Sequence, residues 1–266
     1  MSSFGKCGLN SNFTSSIIAA FIGAGAGAFA ATRFADKKER DRLAITRLQH
    51  NNTAVTLAMS IANHSLTFKK QHVRDMCKRF KADRIRYEAY LKAAEKGSSP
   101  GVPFEMEWDF TSLTFFRHDG DGLHTMVIRE VAASWSVTLA ASQLLQTLHS
   151  LELTVESRSA ELDRLMGLKV KITDDEFAHV YFGLRTKHGI NERYFDVMTS
   201  LENMLEDTIL FSTFIAEELS NRGRELAKQL GKKAPKPFFC SFREIEDPSL
   251  MPAESRRPDW MKSDYN

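Results

Sequence analysis

Apolar and polar positions divide the chain into one uncharged N-terminal run and a long series of helical repeats. No charged residue occurs between Cys7 and Thr32, and Ile, Phe, Ala and Gly fill most of the run at 15–35. A helix of about 20 apolar residues crosses a hydrocarbon core of about 30 Å. We therefore predict a single transmembrane helix at 15–35, preceded by a polar, disordered N-terminus at 1–14.

Two other interpretations of this run are open. The small residues at 28–31 resemble a signal-peptidase site after an apolar run, and the run also fits a helix buried in a water-soluble protein. We favour a retained anchor because Arg33, Lys37 and Lys38 follow at once, and flanking cations mark the cytoplasmic side. The predicted location is the inner cell membrane, single-pass, with the C-terminal domain in the cytoplasm.

Small residues recur at intervals of four within the run, at Gly23 and Gly27 and at Ala20 and Ala24. In lipid, small residues allow two helices to approach closely and gain packing energy. This spacing predicts that the anchor associates with a second copy and that the protein is a homo-oligomer. The alternative is an Ala/Gly-rich span that only inserts.

Residues 36–98 are predicted to form a long basic helix. Neither Pro nor Gly occurs between Asp36 and Lys96, which allows an uninterrupted helix of about 60 residues and about 90 Å. Apolar side chains recur in two rows of seven-residue period, which indicates packing along a partner helix. The rows are Ile45, Asn52, Met59, Leu66, Val73, Phe80 and Tyr87, and Leu48, Val55, Ala62, Lys69, Met76, Asp83 and Tyr90.

Helical periodicity returns after an aromatic-rich connecting loop at 99–122. The segment 123–231 is predicted to be an acidic helical hairpin that completes the bundle, with one helix over about 123–166. Thr173 and Glu176 have the spacing of a capping box, which begins a helix of about 14 residues that ends near Gly189. A last long helix follows and ends at Gly231.

Five of the seven Pro residues lie in a tail at 232–266 that has no helical period. This composition predicts a disordered or loosely docked tail. Its apolar patch at 235–242 could bind another protein or, as the commoner outcome, dock onto the bundle. The predicted fold is therefore all-α: a single N-terminal transmembrane helix, an elongated antiparallel helical bundle or coiled coil, and the Pro-rich tail.

Charge is unevenly distributed although the formal net charge is only +2. Residues 36–98 carry 15 Lys or Arg and 7 Asp or Glu, whereas residues 99–230 carry 12 and 21. The densest cationic cluster is a candidate interaction patch, which could bind nucleic-acid phosphates, dock a protein, or pair with the acidic last helix. Its members are Lys69, Lys70, Arg74, Lys78, Arg79, Lys81, Arg84 and Arg86.

Glu176 and His179 are the weak candidates for a metal site, because Glu-x-x-His places both side chains on one helix face. A helical metal-dependent enzyme that uses these two residues is one alternative function. Cys7, Cys77 and Cys240 are too far apart in sequence to form a metal-binding or redox motif. We identify no catalytic residue and expect no cofactor.

The patterns together predict a membrane-anchored scaffold, adaptor or sensor subunit that works by protein–protein contact and is not an enzyme. Its expected partners are the membrane, other proteins and further copies of itself. Nucleic-acid binding through the basic helix at 69–86 is the second alternative, and we do not favour it.

Overall fold

The computed structural model describes residues 11–96, 104–105, 108–131, 133–186, 189–242 and 245–261, with the side chains of 11–24, 26, 186 and 233 left aside. Six α-helices dominate these ranges, and the prediction of an all-α bundle is confirmed. The helices are α1 Ser11–Phe68, α2 Arg74–Glu95, α3 Gly120–Arg129, α4 Trp135–Lys169, α5 Asp174–Phe182 and α6 Arg193–Leu230. A π-helical turn, Lys69–Val73, joins α1 to α2, and strands β1 Arg185–Thr186 and β2 Gly189–Ile190 pair antiparallel.

The long helix expected at 36–98 is observed as α1, the π turn and α2. Both predicted apolar rows contribute to the core, each over a different stretch. Along α1 the buried members are Leu48, Val55 and Ala62 of one row, and from the π turn onward they include Val73, Phe80 and Tyr87 of the other. The buried polar contact to the partner helix comes from Asn51, one position before the predicted seam, whose side chain donates to the carbonyl of Leu219.

α6 runs antiparallel to both long helices that flank it. Asn51 meets Leu219 at one end of α1, and Lys69 meets Glu206 further along. The first half of α4 packs with 210–219 of α6, and the second half packs with 194–209. α1 and α4 are therefore parallel to each other, so the chain between them must return along the length of the bundle.

Segment 104–119 makes this return. Phe104 contacts Tyr87 near the end of α2, and Phe115 and Phe116 contact Phe68 at the end of α1. The expected aromatic loop is thus extended along the bundle, and its rings cover the groove beside α1 and α2.

The single helix expected at 123–166 is wrong. The structure has α3 and α4 with a corner between them, because Asp119 caps α3 and Ser134 caps α4 through hydrogen bonds to backbone N–H groups. The Thr173–Glu176 capping box is present, but α5 ends at Phe182 because Gly183 adopts a left-handed φ of 67°. This region therefore contains one long helix, α4, and two short ones, α3 and α5, where the sequence predicted two longer helices.

The described part of the C-terminal segment is docked on the bundle, so the disordered tail is wrong and the docked alternative is observed. Residues 234–242 lie against α1 and α6, and residues 245–261 continue over the bundle through three short 3₁₀ turns, Pro248–Leu250, Glu254–Arg256 and Asp259–Met261. The Asn52 side chain donates to the carbonyl of Lys236 and accepts from the N–H of Phe238. Four tail side chains are buried, which anchors a segment without helical period: Cys240, Phe242, Leu250 and Met261.

The N-terminal half of α1 projects from the bundle. The described side chains between residues 25 and 40 are all exposed, and burial begins only at Asp41 and beyond. α1 starts at Ser11, inside the segment predicted to be disordered, and residues 1–10 lie outside the described ranges. Within the described residues, no helix is both long and apolar enough to cross a membrane, so the predicted transmembrane helix at 15–35 has no support from the structure.

Candidate functional site

The predicted basic patch begins at the π turn and continues along α2; we call residues 69–86 the basic segment. A π turn adds one residue to a helical turn, and such turns are frequent at functional sites. Here the turn directs Lys69 and Val73 inward, and both residues are buried. One cation of the segment therefore lies in the interior of the protein.

Lys69 is the most buried cation of this segment. Its Nζ lies 2.5 Å from Oε1 of Glu206, and the two side chains are 9% and 14% exposed. Nζ also donates to the carbonyl oxygen of Leu250 at 2.8 Å. Because a buried charge is costly unless it is paired and hydrogen-bonded, this pair fixes α1, α6 and the tail to one another.

Most other cations of the basic segment are paired too. Lys70 and Lys78 are exposed and have no ion pair among the described residues. The remaining pairs are Arg74 with Asp75 and Asp247, Arg79 with Asp109, Lys81 with Glu202, Arg84 with Glu88, and Arg86 with Asp83. A nucleic-acid phosphate would have to displace these carboxylates. Of the three interpretations of the cluster, the geometry therefore favours pairing within the protein over binding to nucleic acid.

The tail supplies one of these carboxylates. Asp247 receives a 2.6 Å ion pair from Arg74. Hydrogen bonds from Ser249 are the main reason that the pKa of the Asp247 carboxyl is lowered, and the contact with Arg74 adds to the shift. Together they outweigh partial burial, which by itself would raise the pKa. The tail thus contributes a negative charge to the basic segment and covers part of it.

Cys77 lies on the inner side of the basic segment. Burial is the main reason that the pKa of its thiol rises to about 12, and nearby Glu202 adds to the shift. Burial likewise raises the pKa of the Cys240 thiol to about 11. Because the thiolate is the reactive form, neither cysteine is suited to nucleophilic chemistry in the folded protein.

Glu176 and His179 do not form part of a metal-binding cluster. Glu176 belongs to the capping box with Thr173, and Nδ1 of His179 donates to the carbonyl of Asp175 at 2.7 Å. Among the described residues, no group of three or more His, Cys, Asp or Glu side chains is placed to hold a metal ion. The metal site therefore stays a prediction without support.

Glu176 and His179 line an open cavity of about 720 Å³. The cavity lies at the end of the bundle that is remote from the N-terminal half of α1, and we call this end the distal end. Its apolar wall consists of Leu168, Ile172, Val180 and Ile190. Val170 and Ile190 are 87% and 59% exposed. The distal end thus presents two exposed apolar side chains beside a cavity whose lining is both apolar and polar, Asp175 and Arg185 included.

The four residues predicted to pack anchor helices lie in the projecting half of α1. The side chains of Ala20, Gly23 and Ala24 fall outside the described part of the chain. A Cβ atom added at Gly27 would meet no other atom within 4 Å. Gly27 therefore has open space around it and does not contact the bundle.

Sequence reasoning missed two features. Arg158 is fully buried on α4 and its Nη1 donates to the carbonyl of Thr111 at 2.6 Å, which ties the returning segment to the bundle. The second is a cationic cluster at the end of α6, where residues 222–236 carry six Lys or Arg and one Glu. The charge count was readable in the sequence, but its position relative to α1 was not.

No family model, curated protein or solved structure matches this chain. Its function has to be argued from its own residues.

Proposed function

We propose that this chain is a membrane-anchored helical scaffold, an adaptor or sensor subunit that acts through protein–protein contact. In this proposal, the N-terminal half of α1 spans the inner membrane once. The bundle of α1 to α6 lies in the cytoplasm. No reaction is assigned to it.

The observation that carries the proposal is the exposure of α1 outside the bundle. Phe29 and Phe34 are 61% and 75% exposed, although they lie on a helix that continues without interruption into the core. Helices in proteins gain most of their stability from packing of an apolar face, and each Gly costs about 1 kcal/mol relative to Ala in a helix interior. The helical state of a run that contains Gly23, Gly25 and Gly27 is therefore costly in water, and its described side chains from 27 to 34 are exposed rather than packed in the bundle.

The cations after the run give the orientation of the proposed anchor. Arg33, Lys37 and Lys38 follow the apolar residues directly, as expected for the cytoplasmic side. The basic segment begins 36 residues after Arg33, or about 54 Å along a helix. Surface attraction fades within about 8–10 Å, so the basic segment is out of reach of the bilayer.

Contact with other proteins is assigned to the two ends of the molecule. The small residues Ala20, Ala24, Gly23 and Gly27 would pack two anchors together in lipid and form a homo-oligomer. The exposed apolar side chains of the distal end would bind a partner protein.

Membrane fractionation tests the proposal. The full-length chain should stay in the membrane pellet through high-salt and alkaline washes and should be released by detergent. An Ile18→Lys/Ile22→Lys variant should move to the supernatant, because a charged residue at the centre of a span costs about 2.5–3.5 kcal/mol. Leu43→Lys is the matched control, since Leu43 is exposed and lies outside the run.

Recovery of the unchanged protein in a high-speed supernatant without detergent would overturn the anchor. A reporter fused directly after Asp36 tests the orientation, and a periplasmic signal from it would contradict the cytoplasmic bundle. Crosslinking in native membranes, with Val170→Lys compared with wild type, tests whether the distal end contacts a partner.

A further inference from the structure

We propose that the bundle binds anionic lipid headgroups through its membrane-facing end, which consists of the last turn of α6 and the 3₁₀ turn Gly231–Lys233. We call this region the base. The inference rests on the proposed function, since it takes the N-terminal half of α1 as the anchor. It adds a second contact with the same membrane and names its chemistry.

The first step places the base along α1. A Cβ atom added at Gly223 would lie 2.8 Å from the Asn51 side chain and 3.7 Å from that of Leu48. α6 continues seven residues beyond Gly223 to Leu230, which is about 10 Å. Because α6 is antiparallel to α1, its end lies level with about Asp41, where burial along α1 also begins.

The second step compares this level with the membrane surface. If the hydrocarbon span ends at Ala35, Asp41 is six residues further along the helix, or about 9 Å. The headgroup region extends about 5–7 Å beyond the hydrocarbon core on each side. The remaining separation is smaller than the Debye length of about 8–10 Å, so the charges of the base are within range of the headgroups.

The third step is the charge of the base. Lys228 and Lys232 are exposed, and neither has a carboxylate within ion-pair distance in the part of the chain that the structure describes. Arg224 and Lys236 lie further from the membrane, because Gly223 and the carbonyl of Lys236 meet the side chains of Asn51 and Asn52. An unpaired Lys near an anionic membrane surface contributes about 1 kcal/mol of attraction.

The role of these cations in the helix itself does not account for the cluster. Lys228 lies in the last turn of α6, where a positive charge complements the helix dipole. Lys232 comes after the end of the helix, and the dipole effect does not reach beyond the last turn. The position of Lys228 and Lys232 beside the anchor favours a bilayer over another polyanion.

Lysine footprinting of the full-length chain tests the inference. The protein is reconstituted in vesicles of phosphatidylcholine alone or of phosphatidylcholine with phosphatidylglycerol, and an amine-reactive reagent is followed by mass spectrometry. Labelling of Lys228 and Lys232 should fall about fivefold in the anionic vesicles, the factor expected for one cation near such a surface. Lys70 and Lys78, which are exposed on the remote basic segment, should be labelled equally in both.

Charge reversal gives a matched comparison. In Lys228→Glu, labelling of Lys232 should no longer depend on anionic lipid. In the control Lys70→Glu, which makes the same charge change far from the membrane, that dependence should be the same as in wild type.

Three results would overturn the inference. Equal labelling of the base in both vesicles, with the chain retained after an alkaline wash, would refute the lipid contact but leave the anchor intact. Loss of the chain from neutral vesicles after that wash would refute the anchor and this inference together. Protection of the same lysines by duplex DNA, as strong as that by anionic lipid, would make the base an unselective polyanion surface.

Discussion

The basic segment and the base are both rich in Lys and Arg, yet they differ in what faces them. Six of the eight cations in the basic segment have ion pairs with carboxylates of α2, α6, the returning segment or the tail. At the base, Lys228 and Lys232 are exposed without such pairs among the described residues. A count of cations along a sequence therefore does not measure how much positive surface a fold presents.

The difference follows from the order of the helices. Four of the seven carboxylates of α6, including Glu202 and Glu206, lie in its N-terminal half, and three of its four cations lie in its last nine residues. Because α6 is antiparallel to α1, Glu202 and Glu206 meet the basic segment, and the basic end meets the start of the bundle. One helix thus supplies two of the ion pairs of the basic segment and carries, at its other end, cations without such pairs in the described part of the chain.

The largest expected effect comes from the buried pair of the basic segment. Lys69→Met should destabilise the protein by about 3–5 kcal/mol, because it leaves the Glu206 carboxylate buried without its partner. The double variant Lys69→Met/Glu206→Leu should recover most of this loss. Denaturant unfolding measures both, and Lys70→Met serves as an exposed neighbour that should change stability by less than about 0.5 kcal/mol. Equal effects at the two positions would mean that Lys69 is not paired in the interior.

The next effect concerns the tail, which runs from the base to the basic segment. Asn52→Ala removes one hydrogen bond to Lys236 and one from Phe238, worth about 1–3 kcal/mol together at about 0.5–1.5 kcal/mol each. Hydrogen exchange should accelerate in residues 236–242. Thr53→Ala, which removes only a bond to the preceding turn of the same helix, is the control and should leave exchange in the tail unchanged.

A smaller effect is expected for the exposed pairs. Lys81→Ala breaks the contact with Glu202, but Lys81 is 57% exposed, so the loss should be about 0.2–1 kcal/mol. The loss should shrink at high salt, since exposed charges are screened. Lys78→Ala should have no effect at any salt concentration. A salt-independent loss at Lys81 would indicate that the pair is less exposed than described.

The smallest effect at neutral pH belongs to the two thiols. Their folded pKa values of about 12 for Cys77 and about 11 for Cys240 lie above the ordinary value of 9.0. The protonated thiol is thus favoured by folding, so its contribution to stability is complete below pH 9 and is lost as pH rises through 11 and 12. The free energy of unfolding should be lower above pH 9 than at pH 7, and this difference should be smaller in Cys77→Ala than in wild type. Rapid alkylation of either folded thiol at pH 8 would contradict the assigned burial.

The sequence predicted the parts of the fold that depend on periodic burial. Leu48, Val55 and Ala62 recur every seven residues, and they face α6 as the period requires. Lys69 occupies the same row and looked like a polar exception. Its partner Glu206 lies 137 positions later in the chain, and no local pattern shows which carboxylate a distant helix will bring to it.

Segments whose order depends on side-chain to main-chain hydrogen bonds were not predictable in this way. The tail has five Pro and no period, yet Asn52 and Ser220 bind its backbone while Cys240 and Phe242 are buried. The corner before α4 likewise depends on the Ser134 cap. Such contacts become visible only when the tertiary neighbours are known.

The separation between α1 and its partner has a consequence for how the chain is made. Asn51 and Leu219, which join the two helices, are 168 residues apart. A ribosome that adds about 5–20 residues per second needs on the order of 10–30 s to synthesise that distance. Throughout this interval the inner row of α1 is without α6, so the nascent chain presents an uncovered apolar stripe and is a substrate for chaperones until its last long helix emerges.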